Sequence, residues 1–91
     1  MIPKACTLTP DGRVDQVSRF ERIRSEVDSV QRTPTVLTVR FRSGVDEVLL
    51  EELIATEREC CAFLDIAYAG YVLRIGSDDP HDLDPFEALV R

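Results

Sequence analysis

The chain has 91 residues, with seventeen acidic side chains against eleven basic ones and a net charge of −6. That length suits one domain spanning residues 1–91. That sign of charge repels phosphate backbones and anionic lipid, which argues against nucleic acid or a membrane surface as a partner. No apolar run approaches the ~18–20 residues that span a bilayer. The opening MIPKACTLTP lacks the apolar core of a signal peptide, so the cytoplasm is the expected compartment.

The first element is a short β-prone run, CTLT at 6–9, which stops at Thr9-Pro10, a good helix N-cap followed by proline at the first helical position. Val14, Val17, Phe20, Ile23, Val27 and Val30 then recur every three or four residues. This spacing predicts a first helix of about 20 residues, roughly 30 Å long. The arginines of RFERIRSE alternate with Glu21 and Glu26 at helical spacing, which marks a solvated, ion-paired face rather than a basic patch. RTPT ends the helix, because the residue before Pro34 is pushed out of helical geometry.

TVLTVRFR at 35–42 alternates between apolar and polar residues, as a half-buried strand does. SGVDE opens a second helix, with Ser43 as the expected N-cap. Val45, Val48, Leu49, Leu53, Thr56 and Cys60 form its expected apolar stripe, which points Cys60 inward and leaves Cys61 about 100° around the axis. Residues 64–77 read as a hairpin, 77–85 as an acidic loop and PFEALVR as a terminal helix. The predicted fold class is α+β, a two-layer sandwich with helices on one face of a mostly antiparallel sheet, in the order β-α-β-α-β-β-α. A domain this small buries only roughly 60–65% of its unfolded-chain surface, and a homodimer would widen its thin stability margin.

Three cysteines punctuate this plan, and their odd number points to free thiols or a thiolate site rather than a disulfide framework. Cys6 shares a strand face with Leu8, and Cys60 lies on an inward helix face, so the two can meet between the layers. Cys61, at the helix end, can turn to the same place. Three converging thiolates suit a soft ion such as Cu(I), Zn(II) or a more thiophilic metal. The helix C-terminus and the nearby Glu57, Glu59 and Asp65 raise thiol pKa values. A nucleophilic or redox cysteine wants the opposite surroundings, whereas a bound cation can drive deprotonation itself. A Cys60–Cys61 disulfide needs a strained peptide and is disfavoured. Equally, a free cysteine packs as a small hydrophobe, so core filling competes with ligation.

LIATERECCAFLDI, together with ACTLTP at the front, resembles a group of small bacterial proteins whose second helix ends in Glu-Cys-Cys-x-Phe. A similar segment follows the DNA-binding domain in some MerR-like, mercury-resistance-type regulators. The resemblance implies a thiol–metal theme carried by Cys6, Cys60 and Cys61, with Glu59 and Phe63 as motif neighbours. Relatives often carry proline after the cysteine pair, where this chain has Ala62, and the chain shows no DNA-binding helix pair of its own.

Read from the residues, Glu59 is a solvated side chain, Phe63 is core, Tyr68 and Tyr71 pack across strands, and His81 is exposed. The leading functional reading is a protein that binds a soft heavy-metal ion, Hg(II)-like, through the three cysteine thiolates. The alternative is a structural or protein-interaction module, dimeric in one form, with cysteines as core packing. An enzyme is the weakest reading, since no phosphate loop, acid/base pair or activated nucleophile is recognisable.

Overall fold

The computed structural model describes residues 10–91, except the side chains of Pro10, Asp11, Arg13 and Cys60. Its elements are α1 (Pro10–Arg24), β1 (Val27–Arg32), β2 (Val36–Phe41), α2 (Glu47–Cys60), β3 (Asp65–Ala69), β4 (Val72–Gly76), a 3₁₀ turn at Pro80–Leu83 and α3 (Asp84–Val90). The α+β class and the antiparallel sheet agree with the sequence reading. The order does not: the described residues run α-β-β-α-β-β-α rather than β-α-β-α-β-β-α. The strand and Thr9 cap expected before Pro10 lie outside the described residues.

The first helix ends at Arg24, and Val27 and Val30, expected on its apolar face, belong to β1. The cause is a bulge. Val27 pairs with Phe41 and Val30 with Val39, while the register shifts between Val27 and Ser29. One extra residue therefore sets two inward-facing valines three apart, which is a helical spacing, although the backbone is extended. Two β-branched residues in six, beside an available β2 edge, decide for strand.

The sheet order is β1-β2-β4-β3, with every neighbouring pair antiparallel. Leu37, Val39, Phe41, Ile66, Leu73 and Ile75 alternate inward and are buried. They meet Phe20 and Ile23 of α1, Leu50, Leu53 and Ile54 of α2, and Phe86 and Val90 of α3 in one hydrophobic core. The side chains between them along β2, β3 and β4 face outward, so the helices cover one face of the sheet only.

The second helix starts three residues later than SGVDE suggests and is capped by Asp46 rather than Ser43, with the Leu49 amide donating to Asp46 Oδ1 at 3.1 Å. Its buried stripe is Leu50, Leu53, Ile54, Glu57 and Cys61, not the one through Val48 and Thr56; Val48 is 69% exposed. On α1, likewise, Val14 and Val17 are exposed while Gln16 is buried. In both helices a polar residue occupies an inward position, so the apolar pattern is right in part: Phe20, Ile23, Val45 and Leu53 are buried as expected, while Val14, Val17 and Val48 are not.

The hairpin at 64–77 forms, with Ile66 opposite Ile75 and Tyr68 opposite Leu73, but Tyr71, expected on the returning strand, lies in the loop instead. Its two-residue loop is Gly70-Tyr71, and both residues have positive φ, 55° and 64°, as a type I′ turn requires. Arg32 reaches from β1 to Asp84 and Glu87 at 3.1 and 3.0 Å and fastens α3 to the sheet edge.

Candidate functional site

The site is built where α2 gives way to β3. The Cys61 amide still donates to the Glu57 carbonyl at 2.7 Å, but its backbone (φ −122°, ψ 61°) has left the helix. Its side chain lies in the core, where Cys61 is 1% exposed. The Leu64 amide closes the following turn on the Cys61 carbonyl at 3.0 Å. The turn carries Leu64 inward and leaves Phe63 36% exposed, so Phe63 is a surface residue and not the core residue expected.

Cys61 is disulfide-bonded. This corrects the expectation of free thiols for that residue. Cys6 and the Cys60 side chain lie outside the described residues. Among the described residues no three His, Cys, Asp or Glu side chains gather as a metal-binding group.

One helical turn before Cys61, Glu57 is 4% exposed and faces Gln16 of α1, itself 3% exposed. The Gln16 side-chain amide donates at 2.9 Å both to Glu57 Oε1 and to the Leu53 carbonyl. Arg19 in turn donates to Gln16 Oε1 at 2.9 Å. A polar relay thus crosses the α1–α2 interface and ends beside the disulfide. Burial holds the Glu57 carboxyl above the ordinary carboxylate range, and the Gln16 hydrogen bond offsets part of that rise. Among the described residues no buried side-chain nitrogen or oxygen is left without a partner.

Sequence reasoning counted Glu57 only as a charge near the cysteines. Its position was the missed signal, since 53, 57 and 61 are successive four-residue steps on one helix face. Glu59 and His81 are exposed, as read. Arg58, the nearest cation in sequence, is spent on the Ile66 carbonyl at 2.8 Å and ties the end of α2 to β3.

No helix among the described residues is long and apolar enough to cross a membrane. Searches against protein-family models, curated proteins and solved structures find no match.

Proposed function

We propose that this chain is a small cytoplasmic protein that, in its reduced form, binds a soft heavy-metal ion of the Hg(II) type through cysteine thiolates. Cys61 supplies one ligand, and Cys6 and Cys60 complete the set. The observation that carries the reading is the disulfide at Cys61, because it requires a second sulfur within bonding distance of a fully buried first one. Reduction frees the Cys61 thiol, which would then bind a thiophilic ion together with the other two cysteines of the proposed set.

The test is stoichiometric. Hg(II) added to reduced protein should consume thiols together and produce a thiolate–metal charge-transfer band in the ultraviolet. Cys60→Ser/Cys61→Ser should lose both, and Cys6→Ser should weaken them. Binding that stays tight and spectrally unchanged in the double variant overturns the reading.

A second reading takes Cys61 as a packing residue and its disulfide as a staple of a structural or interaction module. Its support is the place of Cys61 in the hydrophobic core. It expects Cys61→Ala to cost stability with no change in metal response, and a dimer that sedimentation detects.

A further inference from the structure

The sheet face turned away from the helices forms an ordered lattice. Strand pairing sets Gln31, Thr38, Arg74 and Ala67 in one row across the four strands, and Ser29, Arg40, Val72 and Ala69 in the next. Two arginines therefore occupy adjacent central strands as diagonal neighbours, about 7–8 Å apart at their bases and within joint reach of one ligand. The residues around them are short. A shallow depression of ≈ 320 Å³ lies here, lined by Arg40, Arg74, Val72, Ala67 and Ala69 with Tyr68 at its edge.

Acidic side chains outnumber basic ones seventeen to eleven, so arginines have an ample supply of carboxylates. Arg32 and Arg91 take carboxylates, Arg19 a side-chain amide, and Arg42 and Arg58 backbone carbonyls. The guanidiniums of Arg40 and Arg74, like those of Arg22 and Arg24 on α1, have no partner among the described residues, but only Arg40 and Arg74 line a common depression. Neither of the two rows contains an acid; Asp65, at a corner of the next row, makes no ion pair with either guanidinium.

We infer that this face binds a small oxyanion-bearing molecule, with a phosphate or carboxylate group gripped by both guanidiniums and the rest of the ligand lying on the Val72–Ala67–Ala69 floor. The guanidinium fork matches both oxyanions bidentately, and two forks converging on one group give a specificity that a single surface cation lacks. The depression is at the small end of the ligand-pocket range, which points to a compact molecule rather than a protein segment. The site is separate from the cysteines and does not depend on the metal reading.

The experiment is a nuclear magnetic resonance titration of the full chain with inorganic pyrophosphate and, separately, with citrate, against sodium chloride at equal ionic strength. Saturable shifts should centre on the amides of Ala67, Ala69, Val72 and both arginines. Stronger binding of pyrophosphate assigns the site to phosphate compounds, and stronger binding of citrate assigns it to carboxylates. Arg40→Gln/Arg74→Gln should weaken binding by about tenfold or more, and the lysine pair should lose part of it, since lysine keeps the charge without the fork. Arg22→Gln/Arg24→Gln, at the exposed end of α1, serves as the control for general charge and should leave affinity unchanged. Circular dichroism confirms that each variant is folded. Shifts that sodium chloride reproduces, undiminished binding in the Arg40/Arg74 variant, or a dimer that buries this face each overturn the inference.

Discussion

The two halves of the molecule share a plan. Residues 10–41 and 47–76 each run helix, strand, strand, and their second strands, β2 and β4, pair antiparallel at the centre of the sheet. They differ at the joints. In the first half, α1 passes to β1 within two residues, and a bulge at Val27/Ser29 takes up the misfit. In the second half, Cys61–Leu64 make the passage, the strands are regular, and the hairpin loop is two residues long. The longer helix-to-strand joint has room to turn a cysteine inward. The shorter one can only kink its strand. The buried cysteine therefore lies in one half and has no counterpart in the other, although the elements are the same.

The halves are also unequally supported. Beyond the repeat, α3 packs on α1 and β1, with the rings of Phe20 and Phe86 6.0 Å apart and tilted by 52°. Phe20, fully buried, holds α3 to the first half from the core side, as Arg32 does at the sheet edge. Phe20→Ala should cost about 3–5 kcal/mol, and Leu53→Ala in the second half about 2–5 kcal/mol. Because one core joins both halves, each variant should shift a single denaturation transition, followed by fluorescence and far-ultraviolet circular dichroism together. Two separate transitions would break the comparison by showing that the halves unfold independently.

The next effect lies on the seam between the halves. Gln16→Ala removes a buried hydrogen bond to Glu57 and one to the Leu53 carbonyl and should cost about 1–3 kcal/mol near neutral pH. Its sign with pH follows from burial. The Glu57 carboxyl binds its proton more tightly in the folded chain than in the unfolded one. Its contribution to stability is thus fully present below the ordinary carboxylate range and is lost as pH rises through the raised folded value. Glu57→Gln should flatten that fall, and Gln16→Ala should steepen it. Asp84 and Glu87 run the other way: hydrogen bonds from Arg32 to Asp84 and from Arg91 to Glu87 hold both below the usual range. Their share is present above the ordinary carboxylate range and disappears as pH falls through their lowered values. Denaturant midpoints measured across pH on the wild type and Glu57→Gln separate the two trends.

The chain from β2 onward was the more legible part, and the reason is physical. Strict alternation in β2 and in the 64–77 hairpin and proline at the start of α3 are local signals that survive into the fold, whereas the cap of α2 lies at Asp46 rather than Ser43. β1 was hidden because a bulge reproduces the spacing of a helix with the residues of a strand. The inward faces of α1 and α2 were displaced because Gln16 and Glu57 satisfy each other. Only the partner's position makes a buried glutamate tolerable, and a single helix does not disclose it. The inward turn of Cys61 was foreseen as an option of the helix end, but its disulfide was not, since an odd cysteine count argued for thiols.

The smallest effect sharpens the contrast between the two loops. In the 33–35 connection, Thr33 bonds Val36 through both its amide and its hydroxyl, and no residue there has positive φ. In the second half the loop is shorter and tighter, and Tyr71 takes φ 64°, a region that a bulky residue enters at a cost. Its carbonyl accepts from the Phe41 amide at 2.8 Å, which extends the central β2–β4 pairing by one bond and holds the conformation in place. Tyr71→Asn keeps that carbonyl and suits the left-handed region, so it should stabilise the chain by about 0.5–1 kcal/mol. Gly70→Ala meets no atom within 4 Å, yet at φ +55° it should destabilise by about 1 kcal/mol through backbone strain alone. Opposite signs at neighbouring positions, read from thermal midpoints, identify the turn as the strained joint of the regular half. A loss of stability in Tyr71→Asn would mean that the ring, 39% exposed, contributes more by packing than its backbone costs.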